Sequence, residues 1–321
     1  MTGTSIGRWR MAGAISLGLA VLFGPPAGAA PAPIALPGDT VFPESFSATA
    51  DGTFYVGSVA DGGVMRIPPG GQAETWIKPG AFGTRSTFGV LADEKSGMLW
   101  LCSNDVSDGG VPGPGNEPGS ALKGFDLKTG EGKVSAKFPG DKNFCNDMAV
   151  GPDGAVYVTN TSTPQILKLP PGGTALEVWL AEPKIQLGKG GGLDGIAFGG
   201  DGNLYVNTVT SGEFFRITLN GGAAETVTRL TTSHPLKMAD GMRPMGGNSF
   251  AMIEGVGRLD RVTVEGDKAT VETLRDGLNG PTAVALVGDT AWVSEGQLAA
   301  LFGKKKPKLP FNLVPTTLSK P

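Results

Sequence analysis

Short apolar runs alternate with Gly- and Pro-rich turns along most of the chain, and few stretches have the 3.6-residue apolar period of a helix. Six of the apolar runs follow one pattern, namely TFYV, MLWL, AVYV, NLYV, SFAM and TAWV. They end at Val56, Leu101, Val158, Val206, Met252 and Val293, at intervals of 45, 57, 48, 46 and 41 residues. Self-similarity at a nearly constant period indicates six structural repeats.

Each repeat has the composition of a small antiparallel sheet. A turn, often Asp-Gly, precedes the run described above, and a second apolar run follows it, as in GVMRI, QILKL and EFFRI. Four short strands in every 40–50 residues or so are typical of a propeller blade. The sequence therefore predicts an all-β fold, a six-bladed β-propeller of four-stranded antiparallel blades. A β-sandwich would not explain six repeats. The segments PAPIAL and KPKLPFNLV could each supply an outer strand that closes the ring.

The N-terminal segment does not share this pattern. Arg8 and Arg10 precede the apolar run Met11–Phe23, and an Ala-Gly-Ala cleavage site follows. This run is shorter than the roughly 20 residues that span a bilayer, although a single membrane anchor is the alternative. We therefore predict a cleaved signal peptide over residues 1–29 and one propeller domain over residues 30–321. The mature protein is expected to be periplasmic or secreted, with no stable membrane insertion.

Composition adds two constraints. The formal net charge of −3 would become −5 on loss of the two arginines before the cleavage site, so there is no electrostatic reason to bind nucleic acid. One His and two Cys are too few for a Cys-rich zinc cluster. In an oxidising compartment, Cys102 and Cys145 are candidates for a disulfide between units two and three, at the channel mouth.

A polar residue recurs twelve positions before the end of the anchored run. The position holds Glu44, Asn146, Asp194 and Asp240 in units one, three, four and five, Pro281 in unit six, and Gly89 or Phe88 in unit two. The first strand of each propeller blade lines the central channel, so these residues should converge at the channel mouth.

Three carboxylates at one channel mouth would repel one another unless a proton or a cation were bound. We therefore predict that Glu44, Asp194 and Asp240 hold one divalent cation. An all-oxygen ligand set favours Ca²⁺, with Mg²⁺, Mn²⁺ or Zn²⁺ as alternatives. The other interpretation is that these residues only form hydrogen bonds at strand ends, which is common for Asn and Asp but unusual for Glu.

The runs FPESFSATADG, FCNDMAVGPDG, GGLDGIAFGGDG and MADGM resemble the SMP-30/gluconolactonase family of six-bladed propellers. The resemblance implies lactone hydrolysis at one divalent metal. Glu44 and Asp240 match the family's Glu and Asp ligands, and Asp194 stands where the family usually has a ligand Asn. Asn146 matches an Asn that contacts the substrate beside the metal. Phe144 occupies a position where sugar lactonases often have Arg, which indicates a less polar substrate.

These features predict an exported divalent-metal-dependent hydrolase, a lactonase acting on a small-molecule substrate. Asp240 is the expected general base, while Asn146 and Phe144 are expected to contact the substrate. His234, the only histidine, is a second candidate base. Two other functions stay open. One is a non-catalytic propeller that binds a ligand or protein partner, and the other is a different metal-assisted reaction such as an elimination or an ester hydrolysis.

Overall fold

The computed structural model describes residues 1–3, 31–185, 187–189 and 192–318. The strands described below belong to one compact unit that begins at Ala32. Apart from residues 1–3, the predicted signal peptide lies outside the described residues. No helix in the described ranges is both long enough and apolar enough to cross a membrane.

The chain from Ala32 onward forms six sheets, which confirms the predicted six-bladed β-propeller. The chain first forms the short strand β1 (Ile34–Ala35). From the channel outward, blade one consists of β2 (Phe46–Ala48), β3 (Phe54–Gly57), β4 (Val64–Ile67) and β5 (Glu74–Ile77). Blade two consists of β6 (Ser86–Asp93), β7 (Met98–Asn104), β8 (Ser120–Asp126) and β9 (Gly132–Lys137). Blade three consists of β10 (Cys145–Val150), β11 (Val156–Asn160), β12 (Gln165–Leu169) and β13 (Glu177–Ala181).

The last three blades include one additional strand. Blade four consists of β14 (Leu193–Phe198), β15 (Leu204–Thr208), β16 (Phe214–Asn220) and β17 (Ala223–Arg229). Blade five contains, in chain order, β18 (Thr231–Thr232), β19 (Ala239–Gly246), β20 (Ser249–Glu254), β21 (Arg258–Glu265) and β22 (Lys268–Arg275). Blade six contains β23 (Ala283–Val287), β24 (Thr290–Ser294) and β25 (Asn312–Thr317). Strand β18 pairs in parallel with β22 and adds a fifth strand to blade five. Short helices occur at Ala81–Gly83, Ser107–Gly109 and Leu298–Phe302.

Both ends of the propeller chain close the ring. In blade six, β25 pairs with β24, and β1 pairs antiparallel with β25 as the outermost strand. The backbone N–H of Leu36 extends this contact by donating to the carbonyl of Phe311 at 2.8 Å. Both segments singled out in the sequence therefore contribute, and closure leaves fewer exposed sheet edges.

Local sequence explains the shape of each blade. The anchored apolar runs form the second strands, and β11 and β15 are buried along their whole length because neighbouring blades cover both of their faces. At the Asp-Gly turns, Gly52, Gly154 and Gly202 have φ angles of 87°, 76° and 78°, a left-handed conformation that glycine adopts without strain. The inner strands β2, β6, β10, β14, β19 and β23 form a continuous ring around the channel.

Candidate metal site at the channel mouth

The candidate site is positioned by β-bulges at the start of the inner strands. In blade three, pairing passes from Cys145 with Asn160 to Met148 with Val158, which leaves Asn146 and Asp147 outside the ladder. The same shift occurs in blades two, four and five, at Phe88-Gly89, Asp194-Gly195 and Asp240-Gly241. Bulges re-aim side chains next to functional sites, and here they explain why a polar residue turns toward the channel in blades three, four and five.

The bulge glycines let adjacent inner strands approach closely. A Cβ atom on Gly89 would lie 2.1 Å from the carbonyl oxygen of Asn146, and one on Gly195 would lie 2.5 Å from that of Asp240. Side chains from the second strands secure the same contacts. Asn207, for example, accepts from the N–H of Gly195 at 3.0 Å and donates to the carbonyl of Asp240 at 2.8 Å.

The structure places the four polar residues of the sequence-derived ring around one cavity. Its lining consists of Glu44, Ser45, Gly89, Asn146, Asp147, Asp194, Asp240, Gly241, Thr282 and Ala283. The cavity has about 170 Å³ of space between atoms and is too narrow for a water molecule. Glu44, Asn146 and Asp194 are buried, whereas Asp240 is half-buried and therefore the more accessible carboxylate.

The sixth position of the ring differs from the sequence assignment. Val293 pairs with Val284, one residue later than a constant spacing requires, because the Gly288-Asp289 hairpin is short. The ring residue of blade six is therefore Thr282 and not Pro281, and Thr282 lines the cavity. In blade two, the bulge identifies Phe88 as the counterpart of Asn146.

Hydrogen bonds leave specific oxygens free. The Nδ2 group of Asn146 donates to Oδ2 of Asp194 and to Oγ1 of Thr161, both at 3.0 Å. One oxygen of Asp240 accepts from the N–H of Gly241 at 2.9 Å. Glu44 Oε2 and Asp194 Oδ1, by contrast, are buried without a hydrogen-bond partner. Buried polar atoms nearly always have partners, so these two oxygens indicate a missing cation or proton.

The pKa shifts of the three carboxyl groups also indicate a missing cation or proton. Burial, and next the charge of Asp147, raise the pKa of Asp194 to about 7, against the opposing effect of its hydrogen bonds. Burial and the charges of Asp194 and Asp147 raise the pKa of Glu44 well above its ordinary value. The pKa of Asp240 is raised in the same way by burial, Asp194 and Glu44. Each carboxyl group therefore resists losing its proton unless positive charge is supplied.

One component of the site was missed from the sequence. Arg243, on the same strand as Asp240, forms a two-pronged ion pair with Asp147, with N–O distances of 2.7 and 3.0 Å. The two residues lie 96 positions apart and belong to blades five and three, so only ring closure brings them together. The sequence did contain one signal for this pair, because the charged residue Asp147 directly follows the predicted site residue Asn146.

The donor set suits a hard divalent cation, because it offers buried, partly unsatisfied carboxylate oxygens and an amide. Within the described part of the chain, however, no three Asp, Glu, His or Cys side chains form a ready-made cation cage. A dehydrated divalent cation is smaller than a water molecule, which matches the narrow cavity.

The remaining candidates lie around this cavity. Phe144 does not line it but packs edge-to-face on Phe88, with ring centroids 4.8 Å apart. His234 lies 3.4 Å from the buried Glu254, which also pairs with Arg258, and none of these three residues lines the cavity.

A disulfide joins Cys102 to Cys145, whose Cα atoms are 5.2 Å apart. It links β7 to the start of β10, directly before Asn146. Asn104 supports the same connection, because its side chain accepts from the Cys145 N–H at 3.0 Å and donates to the Cys145 carbonyl at 2.8 Å. The disulfide therefore braces the strand that carries Asn146.

No protein-family model matches the chain, and no curated protein matches it in sequence. Solved structures of similar fold include a gluconolactonase from Xanthomonas campestris, with a TM-score of 0.59 and 15% identity over 91% of this chain and 99% of that one. Regucalcin from Agrobacterium tumefaciens, described as a calcium-binding protein, has a TM-score of 0.61 and 15% identity, with coverage of 90% and 96%.

A virginiamycin B lyase from Staphylococcus aureus is as similar, with a TM-score of 0.62 and 15% identity over 88% of this chain and 83% of that one. The resemblance to SMP-30/gluconolactonase propellers is thus confirmed at the level of the fold. Because one fold supports hydrolases, lyases and binding proteins, the reaction has to be inferred from the site.

Proposed function

We propose that the protein is an exported, divalent-cation-dependent hydrolase that opens lactones at the channel mouth. The observation that carries the proposal is the convergence of Glu44, Asp194 and Asp240 on one cavity, with two buried oxygens left without partners. Ca²⁺ is the proposed cation, because the ligands are oxygens and because a calcium-binding protein shares the fold.

Glu44, Asp194 and Asp240 would hold the cation. When bound, the cation supplies Lewis acidity, which polarises a carbonyl group and stabilises negative charge on its oxygen. Asp240, as the half-buried carboxylate, would take a proton from the attacking water. Asn146 uses its Nδ2 group for Asp194 and Thr161, which leaves Oδ1 to accept a hydrogen bond from water or from a substrate hydroxyl.

The proposed substrate is a small lactone with an apolar substituent. Blade two contributes Gly89 to the cavity lining instead of a polar side chain, and the half-buried Phe144 packs on the buried Phe88 two positions before Asn146. The Phe144 ring would contact an apolar group and offer no hydrogen bonds to the hydroxyls of a sugar. We therefore expect alkyl- or aryl-substituted lactones to be opened faster than sugar lactones.

The test is a lactone-hydrolysis assay in which ring opening is measured by the release of protons. Protein of residues 30–321 is treated with a chelator, and Ca²⁺, Mg²⁺, Mn²⁺ or Zn²⁺ is then added back. We expect cation-dependent activity that is lost in Asp240→Asn and kept in Asp39→Asn, an exposed carboxylate outside the cavity. A folded protein that binds a cation but opens no lactone in a broad panel would contradict the proposal and favour a non-catalytic binding propeller.

A lyase reaction is the second candidate, because a virginiamycin B lyase shares the fold as closely as the gluconolactonase does. The two reactions differ in their products. Hydrolysis adds the elements of water to the ring-opened product, whereas elimination leaves the mass unchanged and creates a carbon–carbon double bond. Mass spectrometry of the product in ¹⁸O-labelled water separates the two.

A further inference from the structure

One positively charged side chain, that of Arg243 in blade five, reaches Asp147 of blade three and Val90 of blade two next to the candidate site. The Arg243 guanidinium pairs with Asp147 and also donates to the carbonyl of Met242 at 2.7 Å. A weaker contact of 3.5 Å reaches the carbonyl of Val90 across the channel. The side chains of Arg243 and Asp147 are only 13% and 5% exposed, so water cannot screen their charges effectively.

The surroundings of Arg243 differ above and below it. Above, Asp147 lines the cavity that contains Glu44, Asp194 and Asp240. Below, Arg243 lines a separate cavity, whose other walls are mostly apolar and include Leu91, Ala197 and Phe198. Arg243 therefore separates a strongly acidic region from an apolar one.

The position of Arg243 affects the net charge of the candidate site. Four carboxylates at the cavity would present a formal charge of −4 to a divalent cation. Arg243 neutralises Asp147, so that Glu44, Asp194 and Asp240 provide the remaining charge. Since Arg243 sits behind Asp147, it acts on a bound cation through its charge rather than through contact.

We infer that Arg243 is a positioning residue that sets the net charge of the channel-mouth site and thereby its affinity for a divalent cation. The inference rests on the proposed cation site. A purely structural ion pair would also stabilise the channel, but the two roles predict different responses when the charges are removed one at a time and then together.

The experiment is calorimetric titration of Ca²⁺ into the chelator-treated protein at pH 8. Asp147→Asn leaves Arg243 unpaired beside the site, and we expect Ca²⁺ affinity to fall at least about fivefold. The double variant D147N/R243M restores the wild-type net charge with side chains of similar size. We expect its affinity to return to within about threefold of wild type, whereas a second deletion would not repair a structural defect.

Two further measurements test the charge-setting role of Arg243. Lanthanum carries one more charge than calcium, so Asp147→Asn should weaken La³⁺ binding more than Ca²⁺ binding. If Asp147→Asn does not fold, Arg243→Lys and the double variant both keep the wild-type net charge. Their Ca²⁺ affinities should stay within about threefold of wild type, and losses above tenfold in both would overturn the inference.

The outcomes also separate this inference from the proposed function. If wild type binds Ca²⁺ but the double variant is no tighter than Asp147→Asn, the charge-setting role fails while the cation site stands. If wild type binds none of Ca²⁺, Mg²⁺, Mn²⁺ and Zn²⁺, the cation requirement and the role of Arg243 fail together.

Discussion

The Nδ2 atom of Asn146 lies 3.0 Å from Oδ2 of Asp194, so that a side chain of blade three holds a carboxylate of blade four. The bond occupies one oxygen of Asp194 and leaves Oδ1 buried without a partner. Because the donor favours the ionised carboxylate, Asn146 also opposes the rise in the pKa of Asp194 that burial causes. One amide thus leaves Oδ1 free and favours the ionised form of the same carboxylate.

Asn146→Ala should weaken cation binding through this bond. Loss of the donor raises the pKa of Asp194 further, and the cation then has to compete with a more tightly held proton. A hydrogen bond to a charged group contributes about 1.5–3 kcal/mol, so we expect roughly a tenfold or greater loss of Ca²⁺ affinity at pH 7. Titrations across pH should show the loss shrinking as the solution becomes more alkaline.

Thr161→Val is the matched control, because it removes the other acceptor of the Asn146 amide, together with the hydrogen bond that Thr161 donates to the Leu193 carbonyl at 2.7 Å, and leaves the bond to Asp194 in place. Its affinity should change less than that of Asn146→Ala. Equal affinities for Asn146→Ala and wild type at every pH would show that the bond does not influence the cation site.

Without a cation, stability should fall as pH rises from about 4 to about 7. The pKa of Asp194 is raised to about 7 in the folded protein, so its proton stabilises the fold at low pH and is lost as pH passes through that value. Each proton lost contributes up to about 1.4 kcal/mol per pH unit. Urea unfolding in chelator should show this slope, and excess Ca²⁺ should remove the part of it that comes from the cavity carboxylates.

Asp260 provides the control for that slope, since burial raises its pKa to about 6 and it lies outside the cavity. Asp260→Asn should remove a part of the slope that Ca²⁺ does not affect. A slope in wild type that is insensitive to Ca²⁺ would place the titrating groups elsewhere.

Local patterns predicted the blades because each strand, turn and second strand is specified within one repeat. The ring residues followed by counting from Val158 and its counterparts, since in blades one, three, four and five this residue pairs with the residue ten positions earlier. Counting was wrong at Thr282, where a two-residue hairpin shortens the spacing. The pairing of Arg243 with Asp147 could not be predicted locally, because it depends on how two non-adjacent blades face each other across the channel.

The disulfide between Cys102 and Cys145 gives a separate prediction. It closes a loop with a sequence separation of 43, for which chain entropy alone suggests a contribution of about 4 kcal/mol. Replacing both cysteines by Ala should lower the free energy of unfolding by up to that amount. Wild type with a reductant should behave like the double variant, while two free thiols in denatured, unreduced protein would rule the disulfide out.

Ring closure by β1 can be tested by truncation. Protein that starts at residue 38 lacks Ile34, Ala35 and Leu36, whereas protein that starts at residue 31 keeps them. Without these residues, β25 becomes an exposed edge and the site of the buried Leu36 side chain is left empty. Because emptying a buried leucine site alone costs about 2–5 kcal/mol, the shorter protein should unfold at a clearly lower urea concentration.

Leu36→Ala in the longer protein separates packing from strand pairing, since it should cause only part of the loss. Equal unfolding midpoints for the two truncations would mean that β25 closes the ring without β1.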